Sequence, residues 1–78
     1  MDFSSSATIH GTTQGSLVKN SLYNAIKDAI ALPDLTLVFI DTNDGKQHIS
    51  GPEMRAIANS PEFAAYEANL LARGRTRD

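Results

Sequence analysis

The sequence predicts a small α+β domain, in which a sheet of two or three mainly antiparallel strands packs against helices. From Leu17 onward, apolar residues recur at three- and four-residue steps, which is the period of an amphipathic helix. A short apolar run over 35–40 lies between turn residues and indicates a strand. Pro-Glu pairs at 52–53 and 61–62 indicate two further helix starts. The predicted order is (β)-α-β-β-α-α, with an N-terminal amphipathic helix, two C-terminal helices and an optional first strand.

Residues 1–16 read as a polar leader, rich in Ser, Thr and Gly. Such a segment buries too little apolar surface to offset its ordering entropy, so we expect it to be flexible. Weak alternation over 7–12 allows a short edge strand within it. A single folded domain is therefore expected over 17–73.

The first helix is predicted over 17–31. Ser16 is the expected N-cap, because its hydroxyl can accept from the free amides of the first turn. Pro33 ends the helix, since it disfavours the α conformation for the residue before it.

The strand over 35–40 should be apolar on both faces, because side chains alternate along a strand. One face would carry Leu35, Leu37 and Phe39, and the other Thr36, Val38 and Ile40. Large contiguous apolar patches are rare on soluble monomers. Helices on both sides of the sheet, a second copy of the chain, or a different partner remain three open ways to cover both faces.

A hairpin should follow this strand, since Asn43-Asp44-Gly45 tolerates the positive φ of a tight turn. Its second arm is expected over 46–50. The same residues do not form a calcium-binding loop, because a loop that starts at Asp41 puts Lys46 at the glycine position.

Two helices are predicted after the hairpin, from Pro52 to about Asn59 and from Pro61 to Arg73. One helix kinked at 59–60 is the alternative. The first helix should bury an apolar stripe formed by Met54, Ile57 and Ala58. The second should bury a wider apolar face formed by Phe63, Tyr66 and Leu70, flanked by Ala64, Ala68 and Leu71. Residues 74–78 should be a frayed basic tail.

Catalytic and metal motifs are weak in this chain. It contains no cysteine, so disulfides, thiol nucleophiles and cysteine zinc sites are excluded. It has no G-x-S-x-G elbow and no P-loop. His10 and His48 are its histidines, and both are expected to be structural or solvent-facing. We therefore expect neither an enzyme nor a bound cofactor or metal. An enzyme is the least favoured hypothesis, and its catalytic residues would be His48 with Asp41 or Asp44.

These observations favour a non-catalytic protein–protein interaction module, acting as a homodimer or docked on a larger protein as an adaptor, regulator or inhibitor. On size alone, an inhibitor encoded by a phage or a mobile element is one form that this module is expected to take. The alternative is a nucleic-acid-binding regulator that uses the C-terminal arginines, against which the pI of 5.5 argues. A cytoplasmic location is expected, because neither a secretory leader nor a membrane span is readable. The expected interaction residues are Leu37, Phe39, Asp41, Asp44, Arg73, Arg75 and Arg77.

Overall fold

The computed structural model describes residues 1–34 and 37–75 and confirms the α+β class. Along this part of the chain the elements are β1 (Ala7–Thr12), β2 (Gly15–Lys19), α1 (Leu22–Ile30), β3 (Phe39–Thr42), β4 (His48–Ser50), α2 (Gly51–Ala58) and α3 (Pro61–Ala72). The order differs from the predicted one, because two strands rather than one optional strand precede the first helix.

The sheet has four antiparallel strands in the order β2-β1-β3-β4. The strand that the sequence allowed over 7–12 is present, but it is an inner strand and not an edge strand. Ala7 and Ile9 are fully buried, and even Phe3 before the strand is buried. The average composition of residues 1–16 does not indicate an inner strand. The apolar residues of β1 alternate with polar ones, and β1 is held by hydrogen bonds to strands on both sides.

The residues before β1 dock on the start of α1. The carbonyl oxygens of Phe3 and Ser5 accept hydrogen bonds from the amides of Tyr23 (3.0 Å) and Leu22 (2.6 Å). Amides of a first helical turn have no partner within their own helix. The expected flexible leader therefore satisfies the N-terminus of α1.

The first helix begins later than predicted. Residues 17–19 belong to β2, where Val18 lies opposite Thr8, and α1 starts at Leu22. Its N-cap is Ser21 rather than Ser16, and the Ser21 side chain accepts from the amide of Asn24 at 3.1 Å. An apolar pair such as Leu17-Val18 suits either period, and pairing with β1 decides for the strand. The helix ends before Pro33, as predicted.

The central strand is shifted toward the C-terminus. β3 begins at Phe39 and continues to Thr42; the predicted start at 35–36 lies outside the described residues. Val38 and Ile40 are buried in the core, whereas Leu37 is 68% exposed. The predicted hairpin is confirmed, with β4 as its second arm.

The C-terminal half contains two separate helices, as predicted, and not one kinked helix. Ser60 caps α3 by accepting from the Phe63 amide at 3.3 Å. At the start of α2, the hydroxyl of Ser50 donates to the Glu53 carboxylate at 2.9 Å. The apolar face of α3 is narrower than expected: Phe63 and Leu70 are buried, whereas its flanking residues Ala64, Ala68 and Leu71 are exposed.

The core lies between one face of the sheet and the helices. The sheet contributes Ala7, Ile9, Ile40 and Ile49, and the helices contribute mainly Leu22, Tyr23, Ile26, Ala29, Met54, Phe63 and Leu70. Helix α1 packs on β1, β2 and β3, while α2 packs on β4 and α1. In residues 1–34 and 37–75, no helix is long and apolar enough to cross a membrane.

A polar contact ties α3 to α1. The hydroxyl of buried Tyr23 donates to Glu67 Oε2 at 2.6 Å, and the Lys27 ammonium lies 3.1 Å from the same oxygen. The Tyr23 hydrogen bond, followed by that of Lys27, lowers the pKa of Glu67 from its ordinary value of 4.5. Both partners favour the ionised carboxylate.

Stability should therefore depend on the ionisation of Glu67. A carboxyl group whose pKa is lower in the folded than in the unfolded chain stabilises fully above its ordinary pKa, and this stabilisation is lost as the pH falls through the lowered one. Urea midpoints measured from pH 7 to pH 3 should fall more steeply for the unchanged chain than for Glu67→Gln. Glu62→Gln, at the exposed start of α3, is the matched control and should keep the original profile. Identical profiles for all three chains would contradict this account.

Candidate functional site

One face of the sheet carries the helices, and no described element lies over the other. Alternation along the strands assigns the side chains: where Ala7, Ile9, Ile40 and Ile49 point into the core, their neighbours point outward. We call this outward surface the open face. It is formed by Thr8, His10, Ser16, Val18, Phe39, Asp41 and His48.

Strand register makes these side chains cross-strand neighbours in two sets. In the first set, Thr8 lies opposite both Val18 and Asp41, and Asp41 lies opposite His48. In the second set, His10 lies opposite Phe39. Residues from four strands, distant in sequence, thus share one continuous surface.

Asp41 lies between the two histidines. Its Oδ1 is 2.6 Å from His48 Nδ1, and its Oδ2 is 3.5 Å from His10 Nε2. Because a carboxylate can only accept, the hydrogen bond places a proton on His48 Nδ1. On the far side of its ring, His10 Nδ1 lies 3.0 Å from the Ser16 hydroxyl. Asp41 and Ser16 together hold both imidazoles in place.

The two imidazoles lie on either side of Phe39. The His10 and Phe39 rings are stacked, with centroids 5.0 Å apart and planes inclined by 22°. The His48 ring is tilted at 41° and its centroid is 5.2 Å from that of Phe39. The three rings form a row across β1, β3 and β4. Contacts with Asp41 and Ser16 orient the two imidazoles of this row.

Ionised groups are sparse on the open face. Asp41 is its only carboxylate, and the face carries no Lys or Arg. Lys19 of β2 is paired with Asp28 of α1 at 3.0 Å, on the helix side of the sheet. Lys27 is paired with Glu67. The open face is therefore aromatic, with one carboxylate and without Lys or Arg.

Ser16, His10 and Asp41 are the residue types of an acyl-transfer triad, but they lie at an accessible surface. Such chemistry needs donors aimed at a developing oxyanion and a site that excludes water. Ser16 is exposed on the outer strand, and about a third or more of the His10 and Asp41 side chains is accessible. The cavities of about 400 Å³ and 250 Å³ elsewhere on the molecule are lined by none of the three.

The same surface carries three residues of metal-ligating type, His10, Asp41 and His48. No group of three or more His, Asp or Glu within the described parts of the chain has an arrangement that could hold a metal ion. In His48 and Asp41, the facing nitrogen and oxygen already bond each other at 2.6 Å.

The expected interaction residues do not form one site. Phe39 and Asp41 lie together on the open face, and Leu37 is exposed just before β3. Asp44 lies in the β3–β4 turn, where the amide of Lys46 (3.0 Å) and the hydroxyl of Thr42 (2.7 Å) donate to it and lower its pKa.

The predicted arginine cluster lies at the end of α3. Arg73 is its C-cap, and the Arg75 amide donates to the Leu70 carbonyl at 2.9 Å, with Gly74 at a φ of 72° closing the helix. Arg77 lies outside the described residues. Neither Arg73 nor Arg75 belongs to the open face.

His10 is the site residue that sequence reasoning missed. The sequence predicts a flexible leader at this position, whereas His10 occupies an inner strand next to Phe39 and Asp41. The alternation of residues 7–10 was a usable signal for the strand, but the identity of its neighbour required the strand order. The interaction of His48 with Asp41 rather than Asp44 follows from their direct pairing across the hairpin.

Comparison with protein-family models, with curated proteins and with solved structures finds no significant match to this chain.

Proposed function

We propose that this chain is a non-catalytic protein–protein interaction module that acts in the cytoplasm and binds another protein through its open face. The observation that carries the proposal is the row of His10, Phe39 and His48 on a sheet face over which no described element packs. Aromatic residues are enriched at the centres of protein interfaces, where a few of them supply most of the binding energy.

The rigidity of this row supports the proposal. Binding costs free energy for every side chain that becomes immobilised at an interface. Here the His10 and His48 rings are already oriented by Asp41, and they restrain Phe39 between them. Binding of a partner would therefore immobilise few further side chains, and the loss of conformational entropy would be small.

The chemistry of the surface supports the role of an adaptor, regulator or inhibitor. It presents ring faces, hydroxyls and one carboxylate on a flat sheet, which suits recognition of a protein surface better than enclosure of a substrate. Asp41 lies at the centre of the face and would favour a partner with a basic or hydrogen-bond-donating side chain there.

Nucleic-acid binding is the second candidate, and the same ring row favours it. Single-stranded bases stack on aromatic side chains of open antiparallel sheets. However, the open face carries a carboxylate and no Lys or Arg, while Arg73 and Arg75 lie at the end of α3. Phosphates would find few cations beside the rings, so protein binding is the better supported function.

Phe39→Asp tests the proposal in affinity capture from cell lysate. With the unchanged chain as bait, a specific protein should be retained, and Phe39→Asp should reduce its recovery at least tenfold because a central aromatic anchor is replaced by a charge. Leu71→Asp changes an apolar residue that is 59% exposed on α3 and should leave recovery unchanged. His48→Ala, at a 66% exposed side chain, gives a second variant that should reduce recovery with little risk to the fold.

Three outcomes would contradict the proposal. These are the absence of any specifically retained protein, equal recovery with Phe39→Asp, and retention of nucleic acid instead. Nucleic acid would be recognised by its sensitivity to nuclease and by a steep loss of binding as salt increases. Circular dichroism of each variant establishes that the fold is kept.

A further inference from the structure

Besides the open face, the outer edge of β2 is a surface that could bind a partner. β2 is the last strand on its side of the sheet, so one row of its backbone N–H and C=O groups has no strand beside it within the described residues. Its five residues span about 17 Å at about 3.4 Å per residue. A row of such groups is a template for one more strand.

β2 lacks most of the features that usually keep such an edge single, although its register with β1 shifts between Ile9 and Thr12. Edge strands are commonly protected by proline, by a free lysine or by shortness. β2 contains no proline, and the ammonium of Lys19, its only charged residue, is paired with Asp28 at 3.0 Å. The opposite edge is different, because β4 has three residues and runs directly into α2.

Val18 is an exposed apolar residue of this same edge strand. Its side chain is 73% exposed, which is the largest value for a big apolar residue in the described parts of the chain. It lies in the middle of the strand, on the open-face side, opposite Thr8. A further strand beside β2 would give Val18 a cross-strand neighbour on its uncovered side.

We propose that a second copy of this chain adds to β2 in antiparallel orientation, so that two sheets join into one of eight strands. The chemistry of the edge calls for an extended strand, and a two-fold axis normal to the sheet lets β2 satisfy its own copy. Charge also permits the pairing. The Lys19 residue lies at the end of β2, so antiparallel pairing keeps the two lysines at opposite ends of the contact.

This arrangement extends the open face. The two-fold axis places the helices of both copies on one side of the joined sheet and both open faces on the other. The inference does not rest on the proposed function of that face, because it depends on the edge of β2 alone. The contact is shorter than a standard stable interface, so the dimer is expected to dissociate in the micromolar range.

Sedimentation velocity over a series from low micromolar to submillimolar protein tests this proposal. The unchanged chain should pass from 8.4 kDa to twice that mass. Val18→Lys places a free charge on the edge and should raise the dissociation constant at least tenfold. Leu71→Lys, at the exposed apolar residue of α3, should dimerise like the unchanged chain. Hydrogen exchange of the amides over 15–19 should slow as the protein concentration rises.

Several results would overturn it. One is a single 8.4 kDa species at every concentration. Another is a dimer that Leu71→Lys disrupts and Val18→Lys does not. A third is a dimer that Phe39→Asp disrupts, which would place the second copy on the open face. If Phe39→Asp loses a captured partner but keeps the dimer, both proposals stand; if it keeps the partner and the dimer, only the proposed function fails.

Discussion

Gly11→Ala is expected to lower the free energy of unfolding by about 3 kcal/mol. Gly11 has a φ of +85°, a region that residues with a Cβ rarely adopt, and the added Cβ would overlap the carbonyl oxygen of Leu37. Because that oxygen belongs to the backbone, relief requires a shift of the segment that leads into β3. Urea unfolding followed by far-ultraviolet circular dichroism measures the loss.

Gly45→Ala is the matched control. Gly45 has a similar φ of +76°, in the β3–β4 turn, but an added Cβ would meet no atom within 4 Å. Its cost should be that of the left-handed conformation alone, about 1 kcal/mol. The difference between the two variants isolates the close approach of Leu37 to β1. Equal losses would show that this approach is not a constraint.

Phe63→Ala is expected to cost a similar amount, about 3 to 4 kcal/mol. The Phe63 ring is 4% exposed and stacks on Tyr23 of α1, with centroids 5.0 Å apart. It also meets the edge of Phe3 at 5.4 Å. Its removal would leave a cavity where α3, α1 and the N-terminal segment meet, since the Phe63 ring lies against the rings of Tyr23 and Phe3.

Leu71→Ala provides the comparison within α3. Leu71 is 59% exposed, so its truncation should change the free energy of unfolding by less than about 0.5 kcal/mol. A domain of this length is stable by about 4 to 12 kcal/mol, so losses of about 3 kcal/mol are a large fraction of its stability. A loss below about 1 kcal/mol for Phe63→Ala would mean that α3 contributes little to the core.

Local chemistry made the second half of the chain predictable. The turn around Asn43-Asp44-Gly45, the proline-led helix starts and the break at 59–60 all depend on residues within a few positions of one another. Capping and positive φ are short-range effects, so the sequence determined these elements and the α+β class. Phe39 and Asp41 could also be assigned to one strand and one face, because alternation is local.

The first half of the chain depended on contacts that the sequence does not display. Residues 17–19 fit a helical period, yet they form β2 because β1 is available to pair with them. Likewise, the polar leader becomes an inner strand only because β2 and β3 lie on either side of it. Strand pairing joins distant segments, and no short-range pattern states which segments will meet.

The candidate site shows the same division. The sequence by itself determined a domain without cysteine and a hairpin that sets His48 near Asp41. Only the tertiary structure decided that His10 completes the row with Phe39, that one face of the sheet stays open, and that β2 ends the sheet. The physical reason is that side-chain alternation follows from the backbone of one strand, whereas strand order follows from the packing of the whole chain around its core.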